Sequence, residues 1–352
     1  MKHITTYLLT GVLLLLACTG CKVHEWPGPY KPVQVRLKLL FDTAMPLYQE
    51  VPYTGRTSSS FEDYDVRYQV RAFLLDDNGN YNTEAPDYQF TFTKDDVLNL
   101  DHEETIAIAG GGSYRLIAWA DYTDQGSTAH KFYQTDNFTT VTLLTDSEGN
   151  HVANNDMRDA FVGEVDIDVP VLETSTDHYI DATIQMHRPL AKFNFITTDL
   201  EEFAQYVVDL RNKLAAKEGR SASSRVDFDD FRIVFEYESW MPYVFDIHRN
   251  KPSRTYEPGQ TFDSKITLLG GDEAELGFDY VFVNGTSSSV WIRLHAYDKD
   301  GTHITSIPNY VEVPITRSKL TTVRGAFLTA SAGGGVGIDP DFDGEDYDYI
   351  VD

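Results

Sequence analysis

Cysteine is almost absent from this chain: of 352 residues, only Cys18 and Cys21 are cysteine. Both lie at the very start, so the body has no disulfide framework, no thiolate nucleophile and no cysteine-based metal site. Long apolar runs are absent too. Residues 7–17 (YLLTGVLLLLA) are apolar, but a helix spanning a bilayer needs about 20 such residues. Basic charge is scarce, with 29 Lys and Arg against 55 Asp and Glu and a formal net charge of −26. That balance argues against nucleic acid as a partner and against adsorption to anionic headgroups. The ten histidines include no H-E-x-x-H and no pair at ligand spacing. No G-x-S-x-G elbow occurs, and the glycine runs at 110–112 and 333–335 precede no Lys-Ser/Thr. The sequence therefore points to no cofactor, no metal and no catalytic residue, and the expectation is a protein that is not an enzyme.

The first residues carry a clear pattern. Lys2 supplies a positive n-region, the short apolar run follows, and then come small residues and the two cysteines. This is the layout of a bacterial lipoprotein signal, in which the leader is removed and the new N-terminal cysteine is acylated. Leu15-Leu16-Ala17-Cys18 places Leu three positions before its cysteine, whereas Cys18-Thr19-Gly20-Cys21 has better small residues at the cut but a poor first position, so spacing alone slightly favours Cys18. A plain secretory leader is the less favoured reading. Residues 22–32 (KVHEWPGPYKP) hold three prolines and read as a stiff tether of roughly 30 Å at about 3.1 Å per residue.

Beyond the tether the pattern is that of strands. Val33, Val35, Leu37, Leu39 and Phe41 alternate with Gln34, Arg36 and Lys38, which marks a sheet with one buried face. Further strands are expected at 66–75, with Val66, Tyr68, Val70, Ala72 and Leu74 inward, and at 87–93, 103–108, 113–120, 138–144 and 157–169. Turn signals such as Asp77-Asn78-Gly79 separate them. This spacing suggests a β-sandwich over residues 33–171. Residues 172–177 read as a hinge. A second strand set begins with Ile180, Ala182, Ile184 and Met186, and Arg188-Pro189 interrupts its ladder. One helix is expected at about 199–217, capped by Asp199 with Glu202 behind it. Its stripe of Leu200, Phe203, Val207, Leu210 and Leu214 would make a lid on one sheet. Strands resume at 228–238, 243–247, 262–269, 277–284, 289–297, 309–315 and 321–329. The segments 115–121 and 293–298 resemble each other, a hint of two domains of one type.

Residues 331–352 are a Gly-rich linker and an acidic tail. Asp339, Asp341, Asp343 and Gly344 have the spacing of a calcium-loop opening. However, Ile350 occupies the twelfth position and Pro340 sits inside, so a solvated acidic tail is the preferred reading. Trp119, Trp240 and Trp291 could stack on sugar rings, although in strands such residues usually belong to the core.

Three stretches together resemble the fimbrillin-like superfamily of type V pili, in its fimbrium-anchoring lipoprotein branch. They are Cys21 to Pro27 (CKVHEWP), Arg188 to Phe193 (RPLAKF) and Val313 to Thr329 (VPITRSKLTTVRGAFLT), the last departing from the family at Ser318, near which an Asn is usual. The resemblance spans most of residues 21–330. It favours Cys21 as the lipidated residue, with Cys18 the alternative. It implies an all-β fold of two tandem transthyretin-like Greek-key β-sandwich domains, with the lid helix in the second. The parts would then be signal peptide 1–20, tether 21–32, N-terminal sandwich 33–171, C-terminal sandwich 178–330, and linker and tail 331–352. It further implies a palmitate-bearing outer-membrane lipoprotein, held by its lipid and displayed at the surface. Such a protein would anchor or assemble a fimbrium-like adhesin with pilin-like subunits through β-strand complementation. In shaft subunits a protease cuts after a basic residue. Arg56 could serve on paper, and the anchor role implies that it is not cut. The alternative is a surface lipoprotein that binds a glycan, with a host glycan or protein as a further partner.

Overall fold

A computed structural model of the chain describes residues 31–41, 61–109, 111–172, 179–217, 219, 224–239, 241–256, 258–307, 309–329 and the backbone of 347–351. The leader, both cysteines, Arg56 and the Asp339–Asp343 run lie outside these residues.

The first half contributes β1 (Val33–Phe41), β2 (Tyr64–Leu74), β3 (Tyr88–Lys94), β4 (His102–Ile108), β5 (Gly112–Asp124), β6 (Tyr133–Gln134), β7 (Val141–Leu143) and β8 (Ala160–Val169). Next come β9 (Tyr179–Met186), β10 (Leu190–Thr197) and the helix α1 (Leu200–Lys217). The second half contributes β11 (Phe231–Tyr237), β12 (Pro242–Asp246), β13 (Lys251–Thr255), β14 (Gln260–Lys265), β15 (Thr267–Gly270) and β16 (Glu273–Phe282). It closes with β17 (Ser287–Asp298), β18 (His303–Ser306), β19 (Val311–Thr316), β20 (Leu320–Gly325) and β21 (Tyr347–Val351). Among the described residues the fold is all-β with a single α-helix, its sheets packed in a sandwich-like arrangement. The strand orders are β4-β1-β9, β3-β2-β5-β8, β15-β16-β10-β20-β21, β14-β11-β17-β18 with β19 also on β17, and β13-β12-β7-β6.

The period of two in β1 is realised. Val33, Val35, Leu37 and Leu39 are buried, while Arg36, Lys38 and Leu40 are exposed. In β2 the inward row of Val66, Tyr68, Val70 and Ala72 is buried as expected, but Leu74 is exposed. The opposite face is buried as well, because the segment after β5 folds over it. Arg67 donates to Asp121 and to the Thr128 carbonyl, and Arg71 donates to the carbonyls of Thr135 and Asp136. Arg71 also stacks on Phe138 at 4.0 Å.

The halves interlock. Tyr179–Met186, expected to open the second sandwich, pairs in parallel with β1 (Val35 opposite Ile180, Leu39 opposite Ile184). Arg188-Pro189 then carries the chain out of that sheet, and β10 pairs with β16 and β20 in another. In addition, β7 of the first half pairs with β12 of the second. The long strands β5 and β17, which hold the two similar segments, each sit between neighbours within their own sheets.

The helix forms where its stripe predicts but covers less. Leu200, Phe203 and Val207 are buried, with Phe203 edge-on to Phe231 at 5.1 Å, whereas Leu214 is exposed. Asp199 stands at the cap position as expected, its carbonyl accepting from the Phe203 amide at 2.9 Å, but its carboxylate turns elsewhere. The Asp272 carboxylate accepts from the Glu201 amide at 2.6 Å. Asp199 instead accepts from the amides of Leu328 and Thr329, at 3.0 and 2.6 Å, and so fastens the chain just past β20.

Candidate functional site

Three strands were not legible as such, β6, β13 and β18, and a fourth, β21, lies in the tail 345–352, whose sequence leaves donor strand, acceptor of partners and disorder all open. The last is the important one. β20 has β10 on one side and β21 on the other, and all three run parallel. The register of the outer pair is Thr321 to Tyr347 through Gly325 to Val351. The acidic end of the chain therefore lies as an added strand on the margin of a five-stranded sheet.

The platform beneath this margin is stiff for identifiable reasons. Val323 and Thr321 are buried, and Phe327 packs on Phe195 with ring centroids 5.2 Å apart. Asp199 clamps the chain beyond the strand. Arg324 pairs with Glu273 at 2.8 Å. A strand edge presents unpaired N–H and C=O groups that template another strand, and backbone bonds of this kind give affinity without demanding a fixed partner sequence. The arrangement can hold an extended segment, and it needs no cofactor to do so.

A second polar assembly ties the halves together. Asp279 on β16 is fully buried. It accepts from Arg158, from Tyr237 Oη at 2.7 Å and from the Tyr280 amide at 2.7 Å, and it lies 2.6 Å from His151 Nε2. Burial alone would raise its pKa, but the charge of Arg158 and the surrounding donors hold it below the ordinary carboxylate value. Burial pushes His151 below the ordinary imidazole value and outweighs the attraction of Asp279. Beside them Asp156 accepts from Lys192 at 2.5 Å and from Tyr280 Oη at 3.0 Å, and Asp159 pairs with Arg188 at 2.8 Å. These residues come from the stretch before β8, from the link between β9 and β10, and from β10, β11 and β16, so the network is structural cement at the junction.

The tryptophans separate. Trp119 is fully buried, edge-on to Tyr133 at 5.5 Å, while Trp291 is 38% exposed on β17. Trp26 and Trp240 lie outside the described residues, as do Cys18 and Cys21. Among the described residues, no group of three or more His, Cys, Asp or Glu side chains is placed to hold a metal ion. No helix among them is long and apolar enough to cross a membrane.

Comparison with known families is decisive on one point. The pattern of DUF6562, a family of unknown function, matches residues 28–351. The chain belongs to the DUF6562 family. No curated protein matches it. Among solved structures, this DUF6562 chain is similar to a fimbrial anchor protein from Porphyromonas gingivalis, at 13% identity and a TM-score of 0.38, covering 78% of this chain and 81% of that one. It is also similar to a fimbrial assembly protein from Parabacteroides distasonis, at 9% identity and a TM-score of 0.37, covering 83% and 90%. Similarity at this level does not extend to ligands or partners.

Proposed function

We propose that this protein is an outer-membrane lipoprotein that anchors or assembles a fimbrium-like adhesin by β-strand addition. The observation that carries the reading is the parallel pairing of residues 347–351 with β20. In this account the β20 margin is an acceptor. The protein's own residues 347–351 occupy it in the isolated chain, and an extended segment of a pilin-like subunit takes that position on assembly. The signal pattern of residues 1–21 and the Pro-rich residues 22–32 support display from a lipid anchor at Cys21, with Cys18 as the alternative.

The test is affinity capture from detergent-solubilised envelope, comparing the full chain with a variant ending at residue 346. The account expects fimbrial subunits in both captures, with more after tail removal. Equal or smaller recovery after removal, or no envelope protein in either, would overturn it. Labelled palmitate should enter the wild type and be lost on Cys21→Ser. Retention in that variant together with loss on Cys18→Ser would move the anchor to Cys18.

A further inference from the structure

The outer face of β17 carries a row of side chains, Trp291, Arg293, His295 and Tyr297, that neither the hydrophobic core nor the strand margin uses. In this row His295 stands between a hydroxyl and a carboxylate. Its Nδ1 lies 2.6 Å from Ser306 Oγ on β18, and its Nε2 lies 3.0 Å from Glu236 Oε2 on β11. The three residues meet because His295 is the register partner of Ser306 on one side and sits close to Glu236 across the β11–β17 ladder on the other. Glu236 is fixed in turn, accepting from Arg293 at 2.8 Å and from Tyr310 Oη at 3.1 Å.

The proton inventory follows from valence. Burial alone would raise the pKa of Glu236, but hydrogen bonds from Arg293 and His295 and the charge of Arg293 hold it below the ordinary value. It is a carboxylate and only accepts, so in the neutral imidazole the proton sits on Nε2 and Nδ1 offers a lone pair. The Ser306 hydroxyl therefore donates to Nδ1. His303 Nε2, also 2.6 Å from Ser306 Oγ, donates to the same oxygen and fixes the direction of its hydrogen. Hydroxyl, imidazole and orienting carboxylate thus stand in a chain, each in hydrogen-bond reach of the next, and such a constellation is recognised by its geometry and not by sequence position.

The Ile307 amide donates to Leu294 O at 3.1 Å, facing β17. Strand alternation turns the Ser306 amide the other way, to the side where Tyr206 Oη reaches Ile304 O. In the step proposed next, this amide is the donor that would meet the oxyanion formed at Ser306.

We propose that Ser306 is an activated nucleophile toward small acyl esters presented at the open sheet face. Its Oγ bonds to the acyl carbon as its proton passes to His295 Nδ1. The ester C–O bond then breaks and the same proton leaves with the alcohol. Water attacks the acyl-serine, gives its proton to His295, and the acid departs as Ser306 Oγ regains the proton. Ser306 and His295 are the catalytic residues, and Glu236 and His303 are positioning residues.

The test uses the purified full chain with a fluorophosphonate probe, sites being read by mass spectrometry, and p-nitrophenyl acetate hydrolysis followed against pH. Labelling concentrates on Ser306. Turnover falls at least about a hundredfold in Ser306→Ala and His295→Ala, the scale of a positioned general base. Glu236→Gln shifts the midpoint of the pH profile. Probe distributed evenly over serines, or Ser306→Ala with unchanged turnover, would overturn the proposal. Ser306→Ala sits at an edge strand and is expected to fold, so this readout stands even if His295→Ala does not. The outcome is independent of the assembly role.

Discussion

Replacing Asp279 with Ala tests how the two halves are held together. The carboxylate is fully buried and receives Arg158, His151, Tyr237 and the Tyr280 amide. Its removal leaves the guanidinium of Arg158, itself almost fully buried, without its counter-charge, and strips the Tyr237 hydroxyl of its acceptor. Breaking one side of such a pair costs about 3–5 kcal/mol. That is a large fraction of the roughly 5–15 kcal/mol that holds a domain folded. Because Arg158 and His151 precede β8 while Asp279 and Tyr237 lie on β16 and β11, the loss should loosen the junction as a whole. The control is Arg36→Ala. Arg36 and Asp181 are 57% and 69% exposed, so this pair is worth about 0–1 kcal/mol. Urea denaturation followed by Trp fluorescence gives both values. A second variant, Arg158→Met with Asp279→Leu, removes both charges and should recover only part of the loss, since it avoids the ion desolvation cost but still leaves the Tyr237 hydroxyl without its acceptor. A loss below about 1 kcal/mol for Asp279→Ala, no larger than for Arg36→Ala, would refute the reasoning.

Other perturbations follow from local geometry. Burial depresses His151, His102 and His248 below the ordinary imidazole value of 6.5. The unfolded chain therefore takes up protons first, and stability should hold above about pH 6.5 and fall below it, by at most about 1.4 kcal/mol per pH unit for each group. Urea midpoints from pH 8 to 5 should show this, with a shallower slope in His151→Gln; an identical slope would count against it. Gly163 faces β9 so closely that a Cβ would come within 2.4 Å of Gln185 O. Gly163→Val should cost about 1–3 kcal/mol as the strands part, measured as a drop in thermal midpoint. Ser318 adopts φ 57°, a left-handed conformation that suits Asn better. Ser318→Asn should stabilise by about 0.5–1 kcal/mol, and a lower denaturation midpoint would contradict this.

What could be read from the sequence was the part encoded locally. β1 was legible to the residue because its face alternates without interruption, and the helix because its stripe repeats at helical spacing. The faces of β2 were half legible: Arg67 and Arg71 sit at positions that look solvent-facing, and only the fold of residues 128–138 over them makes the second face internal. β13 (KPSRT) and β18 (HITS) are short and polar, so no hydrophobic period marks them. In β21 the alternation of Tyr347, Tyr349 and Val351 pointed to a strand, while the intervening aspartates pointed equally to disorder. The pairing of β9 with β1 and of β7 with β12 is long-range, and a composition shift at residues 172–177 carries no trace of it. The same limit hid both polar constellations. Asp279 lies 121 residues from Arg158, and Glu236 lies 59 from His295.

The claim that the β20 margin receives a strand from another subunit is tested most directly by placing a photocrosslinking residue at Thr322 in cells. The account predicts a covalent adduct between this protein and a fimbrial subunit of the envelope, increasing when residues 347–352 are deleted. Crosslinks confined to the protein's own tail, with no intermolecular adduct appearing after that deletion, would contradict it.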